Sequence, residues 1–147
     1  MLEYKEVTMS KEFVPYELSL ELKQLGFDEE CLADYFVFGD GILRDGRYGQ
    51  TKPKLFMRSE DVSEECEELS MFAYHDVYVP LFQQAFRWFR EKYQLHSTIT
   101  SISQESWQWH ITKPGESLGK LYDEDFYTYE QAELACLQKL IEIVKTK

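Results

Sequence analysis

Hydrophobic and polar positions along the chain alternate with a helical period at three places and with a strand period at one. The segment PLFQQAFRWFREKY, Pro80 to Tyr93, sets its polar residues Gln83, Gln84, Arg87, Arg90 and Glu91 at helical spacing. Between them stand Leu81, Phe82, Ala85, Phe86, Trp88, Phe89 and Tyr93. This pattern predicts a helix buried over most of its circumference with one narrow wet stripe. Upstream, VPYELSLELKQLGF predicts a helix with Val14, Leu18, Leu22 and Leu25 on one stripe. Pro15 suits its first turn, where a missing N–H costs nothing. Gly26 suits the left-handed residue that ends it, with Phe27 folding back onto Leu22 as in a Schellman cap. Near the far end, Thr128 and Gln131 match a capping box, and Ala132, Ala135, Cys136, Leu140, Ile143 and Val144 form the inner stripe of a helix from about Tyr129 to Val144.

The strand period appears in LHSTITSIS and SWQWHIT, which read as a strand pair turning near Gln104 and Glu105. A turn centred there places Ile102, Trp107, Trp109 and Ile111 on one face. Ser97, Ser101, Gln108, His110 and Thr112 take the other face, with Ile99 as the exception. One apolar and one polar face imply helices on only one side of the sheet. A slip of one residue would reverse the pairing.

Elsewhere the pattern is weaker. DEECLADYFVF reads as a short turn of helix entering a brief strand at Tyr35 to Phe38. Gly39, Gly41, Gly46 and Gly49 predict a loop or hairpin over residues 39 to 52, and Lys54 to Met57 a further short strand. In EDVSEECEE, Ser59 caps a predicted short helix with Val62, Cys66 and Leu69 inward and the acids outward. Met71 to Tyr78 reads as extended. The expected architecture is a two-layer α+β fold, helices packed on one face of a small antiparallel sheet, over a single domain spanning residues 1–147.

Three blocks, EFVPYELSLELKQLGFDEECLADY, PLFQQAFRWFREKYQLHSTI and YEQAELACLQKLIEIVK, together resemble a family of small uncharacterised proteins from bacteriophages and gut bacteria. They span 61 of the 147 residues; the region from Phe38 to Val79 matches less well. The resemblance implies a phage or mobile-element origin and an intracellular setting. It brings no assigned activity and no functional residues.

Charge changes the picture more than composition does. The formal net charge is -11, and residues 1–79 hold 8 Lys/Arg against 18 Asp/Glu, whereas residues 80–147 hold 8 against 9. So acidic a surface repels phosphate backbones and anionic membranes, which disfavours nucleic acid, and it suits a protein partner with a basic surface. Cys31, Cys66 and Cys136 are odd in number, far apart and without Cys-x-x-Cys spacing, which implies a reducing compartment and no disulfide scaffold or zinc knuckle. The first residues, MLEYKEVTMSKEF, lack the basic and then apolar run of a signal peptide. No apolar stretch approaches the ~20 residues of a membrane span. The expectation is a cytoplasmic protein, in the host cytosol if phage-encoded.

Candidate chemistry is sparse. The sequence contains no phosphate-binding glycine loop, no Gly-x-Ser-x-Gly elbow and no His-Glu-x-x-His, so no cofactor and no catalytic residue is expected. His75 beside Asp76, with Glu64, Glu65 and Glu68 nearby, is the sole candidate for a metal-assisted hydrolytic site. Against it, adjacent strand residues point to opposite faces. His110 reads as a polar-face strand residue and His96 as a strand-edge residue. The run Glu60 to Glu68 lacks the alternating ligands and central glycine of a calcium loop and reads as a solvated helix face. Its acids Glu64, Glu65, Glu67 and Glu68, with Arg87 and Arg90 on the wet stripe, are the candidate partner-binding residues. Trp107 and Trp109 suggest either core or a stacking platform, and the missing basic groove favours core. Cys136 reads as an inert packing residue.

Three functions follow from these readings. The preferred one is a non-enzymatic accessory protein that binds another protein. The others are a small metal-assisted hydrolase at His75 and Asp76, and a small-molecule sensor with a pocket lined by Trp88, Trp107 and Trp109. The oligomeric state is not legible in the sequence.

Overall fold

A computed structural model describes residues 11–42, 48–50, 54–57, 73–117 and 125–147. The chain adopts an α+β fold with its helices packed on antiparallel sheets, and it divides into two compact units, Met1–Pro80 and Leu81–Lys147. No low-complexity spacer marks the junction.

In the first unit, helix α1 (Tyr16–Gln24) follows Pro15, which sits just outside the helix at its N-cap. Val14 anchors the approach by donating its N–H to the Pro80 carbonyl at 3.0 Å. Ser19, buried inside the helix, donates its hydroxyl to the Val14 carbonyl at 3.1 Å, so its polar atom is satisfied without water. Val14, Leu18 and Leu22 are buried, while Leu25 is half-buried. The helix ends as its sequence predicts. Gly26 has φ 96, its N–H donates to the Lys23 carbonyl at 3.0 Å, and the Phe27 N–H reaches back to Leu22 at 2.9 Å. Those two bonds are the Schellman pair, and they satisfy carbonyls that the helix itself leaves open.

The expected short helical turn after Gly26 does not form; residues 28–31 are irregular. Four residues are too few to repay helix nucleation once the cap has turned the chain. Strand β1 (Ala33–Ile42) is also longer than the expected Tyr35 to Phe38. Partners explain the extension. β3 (Lys54–Met57) and β4 (Ala73–Val79) flank its first half, both antiparallel, and β2 (Tyr48–Gln50) pairs with Gly39 and Ile42. The pairing shifts register at Gly39/Ile42 against β2 and at Val37/Phe38 against β4. Over residues 39 to 52, where the sequence predicts a loop or hairpin, the described residues show β1 and β2 paired antiparallel, and the strand expected at Lys54 to Met57 is present. Helix α1 packs on β4, where Val77 and Val79 are buried. The helix expected after Ser59, with Val62, Cys66 and Leu69, lies outside the described residues.

In the second unit, helix α2 (Phe82–Tyr93) buries Phe82, Ala85, Phe86, Trp88 and Phe89 and leaves Gln83, Arg87, Arg90 and Glu91 exposed, as the periodicity predicts, whereas Gln84 of the expected wet stripe is half-buried. Trp88 and Phe89 meet edge-to-face with centroids 5.0 Å apart. Gln94 ends the helix in the left-handed region at φ 57, a conformation that costs a residue with a Cβ. Buried Leu95 follows, donating its N–H to Phe89 at 3.2 Å. Helix α3 (Tyr129–Lys145) begins at Thr128, whose hydroxyl accepts from the Gln131 N–H at 3.2 Å. Gln131 returns the bond one residue earlier than in a standard capping box, accepting from Tyr127 at 3.1 Å.

Strands β5 (His96–Ser103), β6 (Ser106–Lys113) and β7 (Glu116–Ser117) form the sheet of this unit in that order. α3 packs on β5 and β6, and α2 packs on β5 and α3. The hairpin turn falls at Gln104 and Glu105 as expected, but the register differs from the one that turn alone implies. Ser103 pairs with Ser106, yet the next pair along is Ser101 with Trp107, followed by Ile99 with Trp109 and Ser97 with Ile111. Ile102 is the extra residue of a β-bulge. It flips the upper part of β5, so Ile99 joins Trp109 and Ile111 on the helix-covered face while Ile102 is left 57% exposed. Ser97 and Ser101 move to the same face as the tryptophans. The preference is physical: Ile99 beside Trp109 buries more apolar surface than Thr100 would, and the Ser101 hydroxyl bonds the Ser103 carbonyl at 3.0 Å across the bulge.

Candidate functional site

The candidate residues fall into three groups. Glu64, Glu65, Glu67 and Glu68 lie outside the described residues. His75 and Asp76 lie on consecutive positions of β4, opposite Val37 and Phe36 of β1; their backbone alone is described. Arg87 and Arg90 are both exposed on α2, three residues apart and so on one helical face. Lys92 belongs to the same basic end but folds down, its ammonium 4.9 Å from the Trp88 ring and 5.6 Å from that of Tyr93. A cation over an indole face gains from the ring quadrupole. Arg90 and Lys92 also stand in the last turn of α2, where the helix dipole favours positive charge. Helix stability thus accounts for part of this basic patch.

Among the described residues, no cluster of three or more His, Cys, Asp or Glu side chains is arranged to hold a metal ion. His96 is exposed at the start of β5, and His110 is half-buried opposite Thr98. Among the described residues, neither histidine joins such a cluster.

The tryptophans belong to the packing of the second unit. Trp88 and Trp109 are buried, and half-buried Trp107 meets Tyr129 edge-on at 5.4 Å. Paired backbone bonds of 2.8 and 2.9 Å tie Trp107 to Phe126 and so bring the chain leading into α3 alongside β6. Cys136 is buried on α3. Burial pushes its thiol up to about 12, the Glu133 carboxylate adds to the rise, and a hydrogen bond with Ser97 opposes it. At neutral pH such a thiol stays protonated and unreactive. Cys31 is buried too and donates its thiol to the Glu29 carbonyl at 3.3 Å.

One polar cluster was not legible in the sequence. Gln108 donates its side-chain amide to the Asp125 carboxylate, while the Gln108 Oε1 and the Ser106 Oγ are buried without a hydrogen-bond partner among the described residues. Alternation along β6 marks Ser106 and Gln108 as sharing a face, but the approach of Asp125 depends on the Trp107–Phe126 bridge. At the far end of the same strand, Lys113 lowers the Lys147 ammonium below its ordinary range, first through a side-chain hydrogen bond and then through its charge.

The charge itself divides with the fold. The first unit holds 8 Lys/Arg against 18 Asp/Glu and the second 8 against 9. Among the described residues no helix is long and apolar enough to cross a membrane. No protein-family model matches the chain, and no curated protein or solved structure does so.

Proposed function

We propose that this chain is a non-enzymatic accessory protein of phage or mobile-element origin, acting in the cytoplasm by binding another protein through a basic surface on that partner. The observation behind the reading is the coincidence of charge and fold: a net charge of -10 in the first unit and -1 in the second. Charge spread for solubility has no reason to respect a structural division. Charge gathered in one compact unit creates a directed field that steers a cationic partner, raising the association rate more than the final affinity.

Glu64, Glu65, Glu67 and Glu68 are the proposed contact, because they are the densest acids of that unit. The test is capture of partners by the tagged full chain from lysate of the producing cell. A basic protein should be retained at low salt and lost by about tenfold when the four glutamates become glutamine. Equal capture by the glutamine variant, still resistant to about 0.5 M salt, would exclude this surface as the contact.

A further inference from the structure

We propose that β5 is a docking edge for a second copy of the chain, with two β5 strands pairing antiparallel about a two-fold axis so that two sheets become one. β5 is eight residues long and stands outermost in its sheet, with β6 on one side and, among the described residues, no strand on the other. Its neighbour β6 has no exposed residue, whereas in β5 only Ser97 and Ile99 are even half-buried. An open edge of that length presents a row of backbone donors and acceptors ready for another strand.

Edges that are to stay single are guarded by lysine, proline, an inward charge or brevity. The sequence HSTITSIS has no lysine, proline or carboxylate. The bulge at Ile102 is a guard, but it sits at the turn end and leaves His96–Ser101 in regular pairing with β6.

The nature of the strand selects the occupant. Pairing about a two-fold axis sets a strand against its own reverse, so a charge at the axis would meet its own copy. From Ser97 to Ser103 β5 has none, and its serine, threonine and isoleucine residues are types that pair favourably with one another. A charged peptide strand would find no opposite charge here. The edge also belongs to the unit with a net charge of -1 and not to the one that holds the acidic excess. The contact is small and therefore reversible. Because the whole chain carries -11, salt should strengthen the pairing by screening. Binding of a basic partner to the first unit has the opposite salt dependence, so the two contacts are separable.

Sedimentation velocity of the full chain from about 10 μM to about 1 mM, a range suited to a small interface, is the test. It is joined to amide hydrogen exchange at both ends of that range. The expected result is a reversible monomer–dimer equilibrium that salt favours, with β5 amides gaining protection at high concentration and β6 amides unchanged. Thr98→Lys with Thr100→Lys, both at exposed positions, should lower the association constant by about tenfold or more through like-charge opposition across the axis. A chain that stays monomeric throughout overturns the proposal. So does a dimer whose β5 amides show no concentration-dependent protection, whatever the lysine variant does.

Discussion

The two units solve one packing problem with different surfaces. In the first, among the described residues, the nine-residue helix α1 packs on a four-stranded sheet at its β4 strand, and this unit holds most of the acidic excess. In the second, two longer helices, α2 and α3, pack on a three-stranded sheet, with acids and bases almost in balance. Both cores are apolar, with Val14, Leu22 and Val79 wholly buried in one and Phe89, Ile111 and Leu140 in the other. The difference therefore lies in what each unit offers to its surroundings. Burial fixes the fold of both, and charge distinguishes them, because long-range fields act on association and hardly on topology.

The largest expected effects probe the cores separately. Phe89→Ala removes a fully buried ring from α2 and should lower the stability of the second unit by about 3–5 kcal/mol. All three tryptophans, Trp88, Trp107 and Trp109, lie in that unit, so tryptophan emission reports it alone. Leu22→Ala in α1 should cost the first unit about 2–5 kcal/mol, seen in far-ultraviolet circular dichroism and not in tryptophan emission. An equal shift of the tryptophan transition by Leu22→Ala would show that the two units unfold as one and would break the comparison at its root.

Another effect titrates. An ordinary thiol loses its proton near 9.0, whereas that of Cys136 is pushed up to about 12. The folded state thus holds the proton more tightly than the unfolded state. Stability is full below pH 9 and falls as pH climbs from 9 toward 12, by up to ~1.4 kcal/mol per pH unit. Urea unfolding followed by tryptophan emission should show this slope in the native chain and a shallower one in Cys136→Ala. Parallel slopes would remove Cys136 from the account.

The smallest effect is a gain. Gln94 holds a left-handed conformation at the end of α2, and Gln94→Gly should raise the midpoint of the second unit, by about 0.5–1 kcal/mol in stability. A loss would mean that the Gln94 side chain contributes more than its backbone strain costs.

What the sequence made legible was local. The Schellman ending at Gly26 and Phe27, the wet stripe of α2 and the cap at Thr128 depend on residues within a turn or two of one another, and each appears where the pattern places it. The misread elements depend on distant partners. β1 runs through its glycines because β2, β3 and β4 pair with it, and the register of β5 turns on whether Ile99 or Ile102 shares a face with Trp109. A two-residue turn leaves both registers open; burial against α3 decides. The candidate site divides in the same way. Arg87 and Arg90 are exposed as their helical spacing implies, whereas the Gln108–Asp125 contact joins residues seventeen apart and has no local signature.

The central claim is that the first unit receives a cationic partner and the second does not. It is tested most directly by titrating the isotope-labelled full chain with an oligolysine peptide at about 50 mM salt, where screening is weak, and following each backbone amide by nuclear magnetic resonance. The account predicts shifts concentrated in residues 1–80, abolished by high salt and reduced when Glu64, Glu65, Glu67 and Glu68 become glutamine. Shifts spread evenly over residues 81–147, or the same shifts in the glutamine variant, would contradict it.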